Sequence, residues 1–366
     1  MRVLFVGSHL SDKQYSIYGF EQALAAELQG RCEFRVVRPG HLHKAQDKSK
    51  WARYLDKYLV FPRILRRESS SYDIVHFCEK GMALNLPVVK GRPTLATIHD
   101  FMAVRSALGP DPEWRTGWKG RHLQRMILQS VRQATGVACV SDTTRQEMKT
   151  YLYGYKGQVE TILNGSYKNY KRLEPHSAIQ RLDPGLNLTP GGYYMHIGGN
   201  KPYKNREGVL KIYKEILNLA PDSEHALVMC GSGKTDRLIE VERNLGLLGR
   251  VIWIKEPDDD VIEALYSLAR ALIFPSTNEG FGLPIVEAQS CGCPVFTTNR
   301  RPMTEVGGDA AVYFDCTDPL DGANQVLAHK ENLAELSRKG LENAKRFDRQ
   351  VMADKYLDFY EKLVRS

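Results

Sequence analysis

Ala271-Leu272-Ile273-Phe274-Pro275-Ser276 followed by Asn278-Glu279-Gly280-Phe281-Gly282-Leu283-Pro284-Ile285-Val286-Glu287 is the stretch that decides the fold. An apolar, strand-like run enters a Gly-rich turn. A helical pattern carrying Glu287 leaves it. Such a junction belongs to an α/β sheet, where ligands bind beyond the carboxyl ends of strands and helix N-termini receive anions. The backbone N–H groups of Gly282 and Leu283 are candidates to meet a phosphate. Gly280 and Gly282 allow close approach to the backbone. Phe281 is apolar for a turn and is expected to pack beneath a ligand. Glu287 can accept two hydroxyls of a ribose and Glu279 those of a sugar. The plainer alternative for either glutamate alone is a solvated residue favoured by the helix dipole.

Working outward, the alternation fills the chain. Strands are expected at Val3–Val6, Phe34–Val37, Ile74–Phe77, Thr94–Ile98, Gly136–Val140 and Val159–Leu163, with helices such as Phe20–Leu28 and His122–Arg132 between them. Residues 170–190 carry Pro175, Pro184, Gly185 and Pro190 and read as a linker. The pattern restarts at Tyr193–Ile197, Ala226–Cys230, Val251–Ile254, Leu272–Phe274, Val295–Thr298 and Ala311–Phe314, with a charged helical tail. Strand–helix alternation argues for parallel sheets. Two α/β domains are expected, 1–170 and 190–349, with a C-terminal helix near 350–366 packing back on the first.

The bulk numbers agree with this picture. The chain has 366 residues, 42% hydrophobic and 26% charged, which suits a globular protein of two domains. No apolar run approaches the length of a membrane span. Met1–Gly7 reads as a strand and turn rather than a secretory leader, so a cytoplasmic location is expected. Seven scattered cysteines fit free thiols in a reducing compartment. Cys291-Gly292-Cys293 lacks partners at metal-ligand spacing, so no metal is expected. The net charge of +8 favours an anionic partner, whether nucleic acid, acidic lipid or phosphorylated substrate. No nucleic-acid recognition module is present, so nucleic acid is not an expected partner.

The string Glu279-Gly280-Phe281-Gly282-Leu283-Pro284, Glu287-Ala288, Cys291-Gly292-Cys293-Pro294-Val295 resembles the signature of family 4 retaining glycosyltransferases. The resemblance continues through Pro302, Glu305-Val306 and Gly308-Asp309-Ala310-Ala311. It implies the GT-B fold: two facing Rossmann-like domains with parallel sheets and an interdomain cleft, the paired glutamates lying in the donor site of the second. His99-Asp100 is similar to the family's His-Asp pair, with His99 near the donor sugar and Asp100 fixing its tautomer or capping the next segment. Gly198-Gly199-Asn200 through Lys204-Asn205 matches the loop that holds the donor diphosphate, with Gly199 and Asn200 in the loop and Lys204 as the lysine. The usual preceding Arg is Tyr203, with Lys201 or Arg206 as candidates to replace it. Gly7 falls on the first turn, which the family uses near the acceptor and the transferred sugar, so the resemblance implies that it borders the donor; Tyr18-Gly19-Phe20-Glu21 matches the start of the family's first helix. Ser141 and Asn164-Gly165 also match, and read first as turn residues.

The implied activity is transfer of a hexose, such as mannose, from a UDP- or GDP-type sugar to a saccharide or lipid-linked acceptor. Retention at the anomeric carbon follows from the resemblance. No cofactor and no metal is expected. His99, Lys204 and Glu279 are the expected catalytic residues. The alternatives are a sugar-nucleotide epimerase or a weakly active nucleotide-sugar-binding partner.

Three lookalikes read otherwise. Gly231-Ser232-Gly233-Lys234-Thr235 ends like a P-loop but has Val228 where the first Gly belongs. Asp258-Asp259-Asp260 resembles a metal-binding triplet but stands at a helix start, where capping suffices. No Gly-x-Gly-x-x-Gly follows a strand, which argues against a dehydrogenase. Finally, residues 48–67 interleave Trp51, Tyr54, Leu55, Tyr58, Leu59 and Phe61 with lysines and arginines. They resemble the region with which some family members touch an anionic membrane; the alternative is a surface helix packed on its own domain.

Overall fold

Apolar, β-branched and aromatic runs supply the strands, and the turn chemistry between them sets their direction. A computed structural model describes residues 1–9, 15–40, 55–109 and 116–366. The strands are β1 (Arg2–Val6), β2 (Glu33–Val37), β3 (Ile74–Phe77), β4 (Thr94–Ile98), β5 (Gly136–Cys139), β6 (Gln158–Thr161), β7 (Tyr193–Gly198), β8 (Ala226–Gly231), β9 (Val251–Lys255), β10 (Ala271–Phe274), β11 (Val295–Thr298) and β12 (Ala311–Phe314). Every strand expected from sequence is present, within two residues at either end. The helices are α1 (Tyr15–Leu28), α2 (Phe61–Ser69), α3 (Met102–Leu108), α4 (Trp118–Val131), α5 (Asp142–Tyr151), α6 (Pro175–Ile179), α7 (Arg206–Leu219), α8 (Asp236–Asn244), α9 (Asp259–Leu268), α10 (Leu283–Ser290), α11 (Met303–Gly307), α12 (Pro319–Ala328), α13 (Leu333–Ala344) and α14 (Arg349–Arg365).

The chain divides into two units: Met1–Tyr167 with Asp348–Ser366, and Lys168–Phe347. Each holds one six-stranded parallel sheet. The first runs β2-β1-β3-β4-β5-β6 and reverses between β1 and β3; the second runs β9-β8-β7-β10-β11-β12 and reverses between β7 and β10. At such a reversal the helices leave towards opposite faces and open a crevice beyond the strand ends. The pairing β7 with β10 aligns Leu272 with Met195, so the loops after these two strands emerge side by side.

Both faces of the first sheet are covered. One carries Phe61 and Leu65 of α2 and Ile127 and Leu128 of α4 against Leu4, Val6, Val75 and Phe77. The other carries Phe20 and Leu24 of α1 with Met352, Tyr356 and Phe359 of α14 against Val3 and Phe5. Burial on two sides explains why these strands read as continuous apolar runs.

The stretch 170–190 packs rather than spans. Tyr170 donates to Asp259 Oδ1 at 3.1 Å, the Lys171 N–H to Glu263 at 2.9 Å, and the Leu173 N–H to Ser267 at 3.1 Å, all on α9. Its prolines only set turns and the start of α6. Part of the stretch 48–67 lies outside the described residues. Its described portion is a π-helical turn, Asp56–Val60, running into α2. Among the described residues no helix is long and apolar enough to cross a membrane. All seven cysteines are free, and six are buried.

Candidate functional site

In the second unit, β7 leads through Gly198, Gly199 and Asn200 into a 3₁₀ turn, Pro202–Lys204, and then α7. β10 leads through Ser276–Gly282 into α10. The structure brings Lys204 and Glu279 together from these loops: Nζ lies 2.7 Å from Oε1. Their side chains keep only 16% and 9% of their surface. The ammonium also faces the rings of Phe274 at 5.3 Å and Tyr203 at 5.6 Å. A lysine walled by aromatics and one carboxylate is a strongly fixed point charge.

The loops are tied by groups that sequence reasoning passed over. Asn205 sits at φ 48° and caps α7 by accepting from the Gly208 N–H at 3.2 Å. Its amide donates to Pro275 O at 3.1 Å and Cys316 O at 3.2 Å. The Thr277 N–H donates to Tyr203 O at 2.8 Å. Tyr203 therefore joins the two loops through its backbone, whatever its side chain does.

Arg206 does not stand in for the arginine missing at 203. It is 4% exposed. Its guanidinium lies over Trp253 and donates to Asn200 Oδ1, to Ser232 O at 2.7 Å and to Gly233 O at 3.2 Å. This braces the loops after β7 and β8. Asn200's side chain is occupied in the same brace, since its amide also donates to Gly233 O. Lys234 pairs with Glu242 at 2.8 Å, and Thr235 caps α8. The P-loop lookalike is a turn. Asp258 caps α9 through the Val261 N–H, while Asp259 and Asp260 pair with Lys168 and Arg181.

At the start of α10, Gly282 adopts φ 99°, a backbone conformation that costs little only for glycine. No side chain caps the helix, and Pro284 at its second position has no N–H. Gly280 precedes this turn, and Leu283 opens the helix. The Phe281 side chain is buried against Phe347, with ring centroids 5.7 Å apart. It anchors the turn from below.

Glu287, further along α10, accepts from the Tyr266 hydroxyl at 3.3 Å. Desolvation pushes its carboxyl up to about 7, against the pull of the Tyr266 hydrogen bond and of the Lys168 and Lys204 charges. The ring of Tyr170 lies 6.3 Å from that of Tyr266. Burial pushes the Tyr170 hydroxyl up, with the Glu287 charge adding to it. Neither tyrosine was legible as a site residue. Tyr266 occupies a core position of an amphipathic helix, and Tyr170 lies in a stretch without periodicity.

His99 and Gly7 belong to the first unit. His99 follows β4, and its Nε2 meets the Cys78 carbonyl at 3.0 Å. A carbonyl only accepts, so Nε2 carries the proton and Nδ1 is left as the acceptor. Burial lowers His99 to about 4, with that carbonyl acting in the opposite sense, so the ring is neutral near pH 7. Asp100 has the capping role instead of fixing the tautomer: it accepts from the Met102 N–H at 2.9 Å and pairs with Lys80 at 3.0 Å. Ser141 caps α5 through the Thr144 N–H, which is turn chemistry. At Gly7 the N–H already donates to Val37 O at 2.9 Å. A Cβ there would meet the buried Glu21 carboxylate at 2.0 Å. Glu21 is in turn paired with Arg38. The need for glycine at this turn is thus internal to the first unit.

A family model for glycosyl transferases group 1 matches residues 189–347, and one for glycosyltransferase family 4 matches residues 7–166. The chain is 30% identical over 284 residues to O-antigen chain mannosyltransferase B of Escherichia coli, covering 74% of this chain and 70% of that protein. It belongs to the family 4 glycosyltransferases.

The fold of this glycosyltransferase is GT-B. It is similar to sucrose-phosphate synthase from Thermosynechococcus elongatus, with TM-score 0.74, 17% identity and 99% of each chain covered. It is also similar to Anabaena HepE in complex with UDP and glucose, with TM-score 0.74, 16% identity, and 99% and 100% covered.

Proposed function

We propose that this glycosyltransferase moves a hexose, mannose in the first instance, from a UDP- or GDP-type sugar to a saccharide or lipid-linked acceptor with retention at the anomeric carbon. The observation that carries the reading is the Lys204–Glu279 pair at the β7/β10 reversal, 2.7 Å apart and nearly buried. It stands on the two loops that flank the crevice. A diphosphate reaching Lys204 takes over the ammonium and frees Glu279 to accept sugar hydroxyls. The backbone at Gly280–Leu283 adds N–H donors at a helix start. Glu287 accepts the ribose hydroxyls, and the loop at Gly199 and Asn200 borders the phosphates. His99 accepts a sugar hydroxyl at Nδ1. Mannose is supported by the name of the Escherichia coli relative, and a nucleotide sugar by the UDP and glucose held by Anabaena HepE.

Catalysis in this reading is electrostatic. Lys204 and the α10 backbone stabilise the charge that develops on the leaving diphosphate. No protein nucleophile is assigned; the acceptor attacks from the face the diphosphate leaves, and the phosphate assists removal of its proton. No metal takes part.

A thermal-shift screen over UDP, GDP, ADP and their sugars identifies the base. Transfer assays then test the residues. Lys204→Ala should lower kcat by about a hundredfold or more. Glu287→Ala should chiefly raise the donor KM, by about tenfold or more. Undiminished activity in both variants would refute the assignment. Activity should survive EDTA; complete loss restored by a divalent metal contradicts the metal-free reading.

A further inference from the structure

The second unit carries a cavity of about 590 Å³ that the donor site does not use. It lies at the starting end of β12, beside the turn from α12 to α13. Tyr313, His329 and Leu336 line it together with Asp309, Asn332 and Lys339. β12 is the outer strand of its sheet, two places from β10. The donor crevice opens beyond the carboxyl ends of β7 and β10. The two places therefore differ both in strand and in end of the sheet.

The polar groups around this cavity are held in place. The Asn299 N–H donates to Phe314 O at 3.0 Å, so the Phe314 backbone faces the interior of the sheet. One residue earlier, the N–H and C=O of Tyr313 face the open edge, where a ligand can pair with them. The Tyr313 hydroxyl donates to Gly308 O at 2.6 Å, which fixes its ring at the cavity wall. His329 Nδ1 meets the Gln325 carbonyl at 2.9 Å, so Nδ1 carries the proton and Nε2 is left as an acceptor. Its ring packs edge-on to Phe296, with centroids 6.4 Å apart. Asn332 stands at the start of α13 without capping it. Glu335 is already paired, with Arg338 at 2.8 Å and Lys339 at 3.8 Å.

We propose that this cleft binds a saccharide, as a glycan site separate from the donor crevice. Each sugar hydroxyl both donates and accepts, and the cleft offers both kinds of partner: the Tyr313 N–H and the Asn332 amide as donors, the Tyr313 C=O, His329 Nε2 and Asp309 as acceptors. Tyr313 and Leu336 supply apolar surface for the C–H face of a pyranose. Other occupants fit less well. A phosphorylated ligand would meet the Asp309 carboxylate and a lysine already shared with Glu335. Among the described residues no group of three His, Cys, Asp or Glu side chains could hold a metal ion. An added peptide strand needs a longer free edge, because the Asp315 N–H is taken by Asp321 at 2.8 Å. A glycan tethered here would stay with the protein between encounters, which raises its effective concentration. The cleft argument stands without the transferase reading; only the choice of a mannose probe rests on it.

Nuclear magnetic resonance of the full chain with ¹⁵N-labelled histidine provides the test. The His329 ring signal is assigned by its loss in His329→Gln. Mannotriose or maltotriose, added to about 10 mM, should shift that signal and approach saturation. Asp309→Ala with Asn332→Ala should weaken the titration by about fivefold or more. Both positions are exposed, so the melting temperature should stay at the wild-type value. The shift should persist in Lys204→Ala, which separates failure here from failure of the transferase reading. No shift with either trisaccharide, an equal shift with glycerol, a shift with inorganic phosphate or a tripeptide alone, or an unchanged titration in the double variant would each overturn the proposal.

Discussion

Glu287 sits where a carboxylate is held close to its protonated form. Its carboxyl lies near 7 because burial disfavours the charge. In the proposed donor site, only the ionised form accepts the two ribose hydroxyls. The competent fraction therefore rises as pH rises through about 7. The apparent donor Kd should fall by about tenfold between about pH 6 and about pH 8. Calorimetry with an intact nucleotide sugar, whose phosphates do not titrate there, checks this. Glu287→Gln should flatten the profile, and Tyr266→Phe should move it to higher pH by removing a hydrogen bond to the charged form. At Gly7 a different constraint operates. Glu21 cannot swing freely from an added Cβ because it is 2% exposed and paired with Arg38. Gly7→Ala should cost about 1–2 kcal/mol in chemical denaturation.

Loops carry the site, and at this scale what matters is how they are held. Asn205 is one residue with three tasks: it caps α7, reaches the β10 loop at Pro275 and reaches Cys316 after β12. Asn205→Ala removes a cap and two partly buried hydrogen bonds, together about 3 kcal/mol. Lys204 and Glu279 would then lose their common frame. The expected result is a lower melting temperature and a donor KM raised together with a lowered kcat. An effect confined to stability would show that the loops keep their geometry without this tie. Arg206 belongs to the same framework on the β8 side. Its position one turn after the Gly-rich loop resembles a ligand's, yet its neighbours are Trp253 and carbonyl oxygens.

Across the whole molecule, the chain crosses back at Asp348 to complete the unit in which it began. His76, buried in β3, meets the Tyr360 hydroxyl at 2.8 Å and Thr97 Oγ1 at 2.7 Å, and Thr97 meets the Tyr356 hydroxyl at 3.0 Å. Burial lowers His76 to about 3, so it serves as a neutral link in this chain. Gly136 on β5 has no Cβ because Leu363 of α14 would be 2.6 Å from it. Deleting Asp348–Ser366 would expose Phe5, Phe20 and Leu95 and strand the His76 network. Calorimetry of the truncated chain should lose the transition of the first unit and keep that of Lys168–Phe347; two intact transitions would contradict this.

The sequence by itself determined the strands, the α/β fold class and the Gly-rich turn between Glu279 and Glu287, because apolar periodicity and Gly-rich turns are local signals; Lys204 and His99 were singled out by the family resemblance. The tertiary structure decided what each side chain meets. It gave Lys204 to Glu279, Arg206 to the Ser232 carbonyl, Phe281 to Phe347 and the His99 tautomer to the Cys78 carbonyl. It also set Tyr266 against Glu287. These pairings join residues from separate loops, strands and helices. Only sheet order brings such segments together, and no periodicity along the chain encodes which side chain will face which.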